Sequence, residues 1–231
     1  MPLALAQLPP GRRDYDAPVH SVLVIDDHDI VRFGLETLLL ACPDFELAGS
    51  AANLTQGLEL IERFRPDLVV SDMALPDSSG LDTVRAVVAA QKPRATLFVS
   101  MLDEMLYGEQ VLALGAGGFL MKESAHASVV PAAQAVLAGE TWVSPRLQAK
   151  LVNKLLRRAR HEGGEAQPDS ASLTLRELQV MEQLKLGKTT KEIATALELS
   201  VRTVDLHRAN IKRKLGLRTG AELIAFASNK L

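Results

Sequence analysis

Val22-Leu23-Val24-Ile25 is a continuous apolar run, and Asp26-Asp27 follows it at once. A short run of this kind reads as a strand buried on both faces, which is the mark of a parallel sheet. Leu68-Val69-Val70, followed by Ser71-Asp72, repeats the pattern, and so does Leu97-Phe98-Val99, followed by Ser100. Residues 45–51 and 118–121 are weaker strands of the same kind. Amphipathic helical patterns lie between them, at residues 30–41, 55–64, 81–90, 105–114 and 125–138. Five βα units in about 120 residues predict a doubly wound α/β domain.

In such a sheet the site lies beyond the carboxyl ends of the strands. Asp26 and Asp27 follow the first strand, Asp72 the third, Ser100 the fourth and Lys122 the fifth. Three converging carboxylates repel one another unless a cation sits among them. Oxygen ligands favour a hard ion such as Mg²⁺. One carboxylate can then attack a phosphoryl group and form an acyl phosphate. A lysine and a hydroxyl neutralise the oxygens that develop charge.

The chain has 231 residues, enough for two ordinary domains. Its net charge of -2 conceals an asymmetry: residues 19–142 carry -10, residues 143–170 carry +3 and residues 171–231 carry +5. An acidic front and a basic rear point to different partners, with nucleic acid expected for the rear. No run of 18 apolar residues is present, so no membrane span is expected. Residues 1–18 read as a disordered extension, since the prolines and the absence of an early basic residue do not fit a signal peptide. The single cysteine, Cys42, excludes a disulfide framework and fits a reducing cytoplasm.

Residues 144–160 read as a basic amphipathic helix with Leu147, Leu151, Leu155 and Leu156 on one side. Residues 161–172 have the composition of a flexible linker. In the rear, Thr174-Leu-Arg-Glu177 and Thr189-Thr-Lys-Glu192 are capping boxes that open two helices. Ser200 caps a third, which stops at Gly216, and Thr219 opens a fourth. The tight Glu198-Leu199-Ser200 turn makes the second and third a helix-turn-helix. Projection of the third helix places Val204, Ile211 and Leu215 in the core. The opposite face holds Arg202, Asp205, Leu206, Ala209, Asn210 and Arg213, a mixture suited to a major groove.

The stretches V-L-V-I-D-D-H from Val22, D-L-V-V-S-D-M-A-L-P-D-S-S-G from Asp67, F-V-S from Phe98 and G-F-L-M-K from Gly118 resemble receiver domains of bacterial two-component systems. The resemblance implies that Asp72 accepts a phosphoryl group from a histidine kinase. It implies direct Mg²⁺ ligation by Asp27, Asp72 and the backbone carbonyl of Ala74, with Asp26 helping through water. Ser100 and Phe119 become the switch residues and Lys122 the phosphate-binding lysine. Ala74 and Leu102 fall beside the path of a hydrolytic water, and neither can orient it, so a long-lived phosphoryl-aspartate is expected. The protein accepts a phosphoryl group and is not expected to be an enzyme, beyond slow autodephosphorylation. Pro76 and Gly80 read as turn residues without a chemical role.

L-T-L-R-E-L-Q-V from Leu173, K-E-I-A from Lys191 and V-R-T-V-D-L-H-R-A-N-I-K-R-K-L from Val201 are similar to the LuxR-type helix-turn-helix. The whole chain thus resembles a NarL/FixJ-type response regulator: a flavodoxin-like receiver over residues 19–142, a connector over 143–170, and an all-α DNA-binding domain over 171–231. This implies base reading near Asp205, Leu206 and Ala209, with Arg213 on the same face. Phosphate contacts are implied near Lys191, Arg202, Thr203, His207, Arg208 and Lys212. Dimerisation is implied through Glu222, Leu223 and Phe226, giving a homodimer on promoter DNA when phosphorylated. Two other readings stay open at this level: a Mg²⁺-dependent aspartyl phosphotransferase or phosphatase, and a DNA-binding regulator whose receiver is never phosphorylated.

Overall fold

The computed structural model describes residues 19–160 and 172–230. The expected extension at 1–18 and most of the linker segment lie outside the described residues. The front half follows the βα alternation: β1 (His20–Ile25), α1 (Asp29–Leu40), β2 (Phe45–Ala51), α2 (Leu54–Phe64) and β3 (Leu68–Ser71) come first. A hairpin of two-residue strands, β4 (Ala74–Leu75) and β5 (Ser78–Ser79), precedes α3 (Gly80–Gln91). Then come β6 (Ala95–Ser100), α4 (Glu104–Ala113), β7 (Gly118–Met121) and α5 (Ala125–Leu137). The main sheet is parallel in the order β2-β1-β3-β6-β7.

Alternation along each strand feeds two layers. Leu23, Ile25, Val69 and Phe98 join the layer that includes Ile61, Val84 and Tyr107 from α2, α3 and α4. Val22, Val24, Leu68, Val70, Leu97 and Val99 join the layer of Leu35 from α1 and Val129 from α5. Both faces are covered, which is why these strands read as unbroken apolar runs. Cys42 is half-buried and free.

The connector helix α6 (Pro145–Arg160) is held on the front half. Leu147 is fully buried, and it lies so close to Gly108 that a Cβ there would be 2.3 Å from its Cδ2. Burying one leucine contributes about 1.5–3 kcal/mol. The Ser144 N–H donates to Glu104 Oε1 at 2.7 Å, Lys150 donates to the Met105 carbonyl at 2.8 Å, and Lys154 pairs with Glu109. Leu155 and Leu156 remain exposed, so the expected apolar side is used only in its first half.

The rear half is helical: α7 (Leu175–Lys185), α8 (Thr190–Ala196), α9 (Val201–Leu215) and α10 (Gly220–Lys230). Both expected capping boxes form, at Thr174/Glu177 and Thr189/Glu192. Ser200 accepts from the Thr203 N–H, and Gly216 ends α9 at φ +70°. Glu198 turns between α8 and α9 at φ +54°. Val204 and Ile211 are fully buried, as the helical projection requires, and Leu215 is half-buried. A buried ion pair joins α9 to α7: Lys214 Nζ lies 2.7 Å from Glu177 Oε2.

Candidate phosphorylation pocket and DNA-recognition helix

The strand ends converge as expected. Asp72 is 3% exposed, and its two oxygens are held differently. Oδ1 accepts from the Met73 N–H at 2.6 Å, the Ala74 N–H at 3.2 Å and the Ser100 hydroxyl at 3.0 Å. Oδ2 accepts from Lys122 Nζ at 2.6 Å. Lys122 also lies 2.7 Å from Asp26 Oδ2, out of hydrogen-bond geometry. Burial pulls the Lys122 ammonium down, but its contacts with Asp26 and Asp72 outweigh this and hold it above the usual lysine range. Carboxylate partners favour the charged form.

Asp26 is fully buried and Asp27 half-buried. Asp26, Asp27, His28 and Asp72 each offer a ligand atom within 4.8 Å of the others. Asp26 Oδ2 and Asp27 Oδ1 are buried without hydrogen-bond partners. Three carboxylates with such atoms suit a hard divalent cation. His28 was not expected here: its Nδ1 lies 2.7 Å from Asp27 Oδ1 and 3.4 Å from Asp26 Oδ1. The adjacent acidic pair gave the only sequence signal for it.

Phe119 is fully buried and pairs in register with Phe98. Ala74 begins the hairpin and is exposed, whereas Leu102 is buried and its N–H reaches Ser100 Oγ at 3.4 Å. The hairpin is anchored away from the pocket. Asp77 accepts from the Leu54 and Thr55 N–H groups and the Thr55 hydroxyl, at 2.8, 2.9 and 2.7 Å. It thereby caps α2 from outside that helix, which Asn53 also caps. The bond to the Thr55 hydroxyl leads the effects that hold Asp77 below the usual carboxylate range.

On α9, Arg202, Asp205, Leu206, Ala209 and Arg213 are exposed, with Leu206 at 60%. Thr203, His207 and Lys212 are half-buried, and Lys191 on α8 is exposed. Arg208 is half-buried, donating to the Thr190 hydroxyl at 2.6 Å and so tying α9 to α8. On α10, Glu222 takes the Arg218 N–H and Phe226 is half-buried. Leu223 is fully buried within the domain, so it supports α10 from inside rather than presenting a dimer surface.

An acidic receiver pocket on a parallel sheet of order β2-β1-β3-β6-β7, followed by a helix-turn-helix, defines a response regulator with an effector domain. The comparisons agree with that class. Residues 22–134 match the response regulator receiver domain, and residues 171–227 match the LuxR family of bacterial regulatory proteins. The transcriptional regulatory protein LiaR of Bacillus subtilis (strain 168) is 34% identical over 208 residues, covering 89% of this chain and 95% of that protein. The oxygen regulatory protein NreC of Staphylococcus carnosus (strain TM300) is 29% identical, covering 90% and 97%. RcsB of Salmonella enterica serovar Typhimurium, bound to promoter rprA, shares the fold, with a TM-score of 0.68 at 20% identity over 91% of this chain and 99% of that one. The chain belongs to the response regulator family, as a receiver joined to a LuxR-type DNA-binding domain.

Proposed function

We propose that a histidine kinase phosphorylates Asp72 and that this controls sequence-specific promoter binding through α9. The observation that carries the reading is the split environment of Asp72, with Oδ1 on Ser100 and backbone N–H groups and Oδ2 on Lys122. In transfer, the phosphorus–nitrogen bond of a phosphohistidine breaks as an Asp72 oxygen forms its bond to phosphorus. The imidazole leaves as a neutral ring after taking up a proton. Lys122 offsets charge on the transferred group, and Ser100 gives its hydroxyl a second acceptor. Asp26, Asp27, Asp72 and the Ala74 carbonyl would hold Mg²⁺, which supplies neutralisation of the phosphoryl oxygens.

The functional units are residues 19–142 for reception, 143–170 for connection and 171–231 for DNA binding. Arg202, Lys191, Thr203, His207, Arg208 and Lys212 serve phosphates, while Asp205, Leu206, Ala209 and Arg213 face bases. Glu222 and Phe226 on α10 form the homodimer face in the phosphorylated state. A cytoplasmic location belongs to the same reading and is supported by the family role; among the described residues no helix is long and apolar enough to cross a membrane. The receiver accepts a phosphoryl group and loses it slowly, without turnover of a separate substrate.

Exposure to a small phosphodonor with Mg²⁺, followed by intact-mass measurement, tests this. Wild type gains one phosphoryl group and Asp72→Ala gains none. Equal addition to both, or continuous consumption of the donor in multiple turnovers, refutes the reading. In DNA titrations the affinity must fall steeply with salt.

A further inference from the structure

Helix α7 of the rear half docks on α3 and α4 of the front half. Gln110 Nε2 donates to the Leu173 carbonyl at 3.1 Å, and Gln179 Nε2 reaches Asp82 Oδ1 at 3.4 Å. Glu182 of α7 lies within this seam. Its Oε1 sits where a Cβ on Gly80 would be only 1.7 Å away. Gly80, at φ +58°, ends the loop that begins at Asp72. On the other side is Tyr107, fully buried on α4, the helix that follows Ser100. One carboxyl from the DNA-binding half therefore meets both the phosphoacceptor loop and the helix downstream of the switch hydroxyl.

Glu182 Oε1 and the Tyr107 hydroxyl are buried, and neither makes a hydrogen bond of ordinary geometry. The two groups nonetheless interact directly across the seam. An ionised carboxylate in that position is poorly solvated; the Tyr107 hydroxyl and the Leu81 N–H favour it, but burial outweighs them. The other charged groups on the packed helices do not relieve it. Asp82 on α3 adds a like charge, and Arg85 is engaged with Asp82 at 2.7 Å. On α4, Glu104 accepts from Ser144 and Glu109 pairs with Lys154. On α7, Arg176 bonds Gln179 and Glu177 pairs with Lys214, which leaves Lys185 as a weak counter-charge.

We infer that Glu182 is a proton-operated latch between the two halves: its neutral carboxyl seats on Gly80 and Tyr107 and closes the seam, and its carboxylate opens it. The inference rests on the phosphorylation reading only for what the latch controls. Burial in the seam pushes Glu182 up to about 7, with Asp82 adding to the rise and Tyr107, the Leu81 N–H and Lys185 opposing it. An undocked glutamate titrates near 4.5. Closure is therefore fully favoured below that value, weakens as pH rises through about 7, and is flat beyond. Between pH 6 and pH 8 the docked-to-open ratio falls about tenfold.

Small-angle scattering of the full chain tests the latch at pH 6 and pH 8. Wild type is expected to expand as the pH rises. Glu182→Gln, neutral at both pH values, stays compact. Gly80→Ala, whose methyl displaces the carboxyl, is expanded at both, with circular dichroism confirming that it is folded. Glu182→Gln expanding like wild type, or wild type keeping one size at both pH values, overturns the inference, as does a folded Gly80→Ala that stays compact. Phosphoryl uptake at Asp72, read by mass on the same samples, is a separate outcome. Its failure would remove the proposed function and leave the latch standing.

Discussion

The Ser100 hydroxyl donates to Asp72 Oδ1 at 3.0 Å, linking the end of β6 to the end of β3 across 28 residues of chain. Ser100→Ala removes this donor while the Met73 and Ala74 N–H groups keep Oδ1 satisfied. A hydrogen bond to a charged group contributes about 1.5–3 kcal/mol. Asp72 should still be phosphorylated in the variant. The gain in DNA affinity on phosphorylation should shrink by about tenfold or more. Mass measurement and paired DNA titrations check both halves, and an undiminished gain would show that Ser100 does not transmit the signal.

Lys122 stands between two buried carboxylates, Asp26 and Asp72. Lys122→Met keeps the length of the side chain and removes its charge. Breaking a buried pair of this kind costs about 3–5 kcal/mol. Urea unfolding should show a loss of that order without divalent cation and a partial recovery with Mg²⁺. A loss that Mg²⁺ leaves untouched would contradict a cation site at Asp26, Asp27 and Asp72.

Glu177 links acid stability to the DNA-binding half. Burial raises its carboxyl, but Lys214 and the Thr174 cap outweigh this and hold it below the ordinary 4.5. Its contribution is present above pH 4.5 and is lost as pH falls through the depressed value. Glu177→Gln should lower stability near neutrality by about 3 kcal/mol, because Lys214 is left buried without a counter-charge. Its unfolding curve should also be flatter below pH 4.5 than that of wild type. Parallel acid limbs in the two proteins would remove Glu177 from this role.

Legibility in the sequence followed chemical locality. β1, β3 and β6 stood out because each is an apolar run buried on both faces and each leads directly to a residue of the pocket, whereas β2 is half-exposed and leads to none. Capping boxes at Thr174 and Thr189 are four-residue signals, and both formed. The hairpin around Pro76 and Asp77 was read only as a turn, since two-residue strands have no periodicity to detect. His28 was hidden by its ordinary place at a helix start. The packing of Leu147 on Gly108, and of Glu182 on Gly80, joins residues far apart in the chain. Each looks like a plain helix or turn residue until its partner is known. Gly80 in particular is more than a turn residue, because its missing side chain makes room for Glu182.

Arg202 and Ile211 separate contact from support on α9. Arg202 is exposed, and Arg202→Ala should weaken binding to all sequences alike and lower the salt slope by about 1. Ile211 is fully buried, and Ile211→Ala should cost about 2–5 kcal/mol of domain stability. A salt slope unchanged in Arg202→Ala would take that residue off the phosphate surface. Asp205→Asn, by contrast, should alter base preference more than overall affinity, as read by a selection from random duplexes.

Ala74 is exposed and carries no polar atom beyond Cα, and Leu102 is apolar and buried. Neither side chain can orient a water for attack on the acyl phosphate. Radiolabelled phosphoprotein, purified away from kinase, should hold its label for minutes or longer. Ala74→Asn should shorten that time. Loss of label from wild type within seconds would show that water is positioned by other groups.

The acidic pocket at one end of the front sheet and the exposed cations of α9 make this molecule an electric dipole with a preferred heading. Near a polyanion the receiver is repelled and the recognition helix is attracted, so a torque acts before any atom touches DNA. Encounters arrive rear-first, and fewer collisions are wasted on the wrong face. Under the proposed function, a phosphoryl group on Asp72 would replace one negative charge by about two and so strengthen that dipole. Phosphorylation would then bear on the rate of arrival as well as on the grip, through a field that needs no moving part.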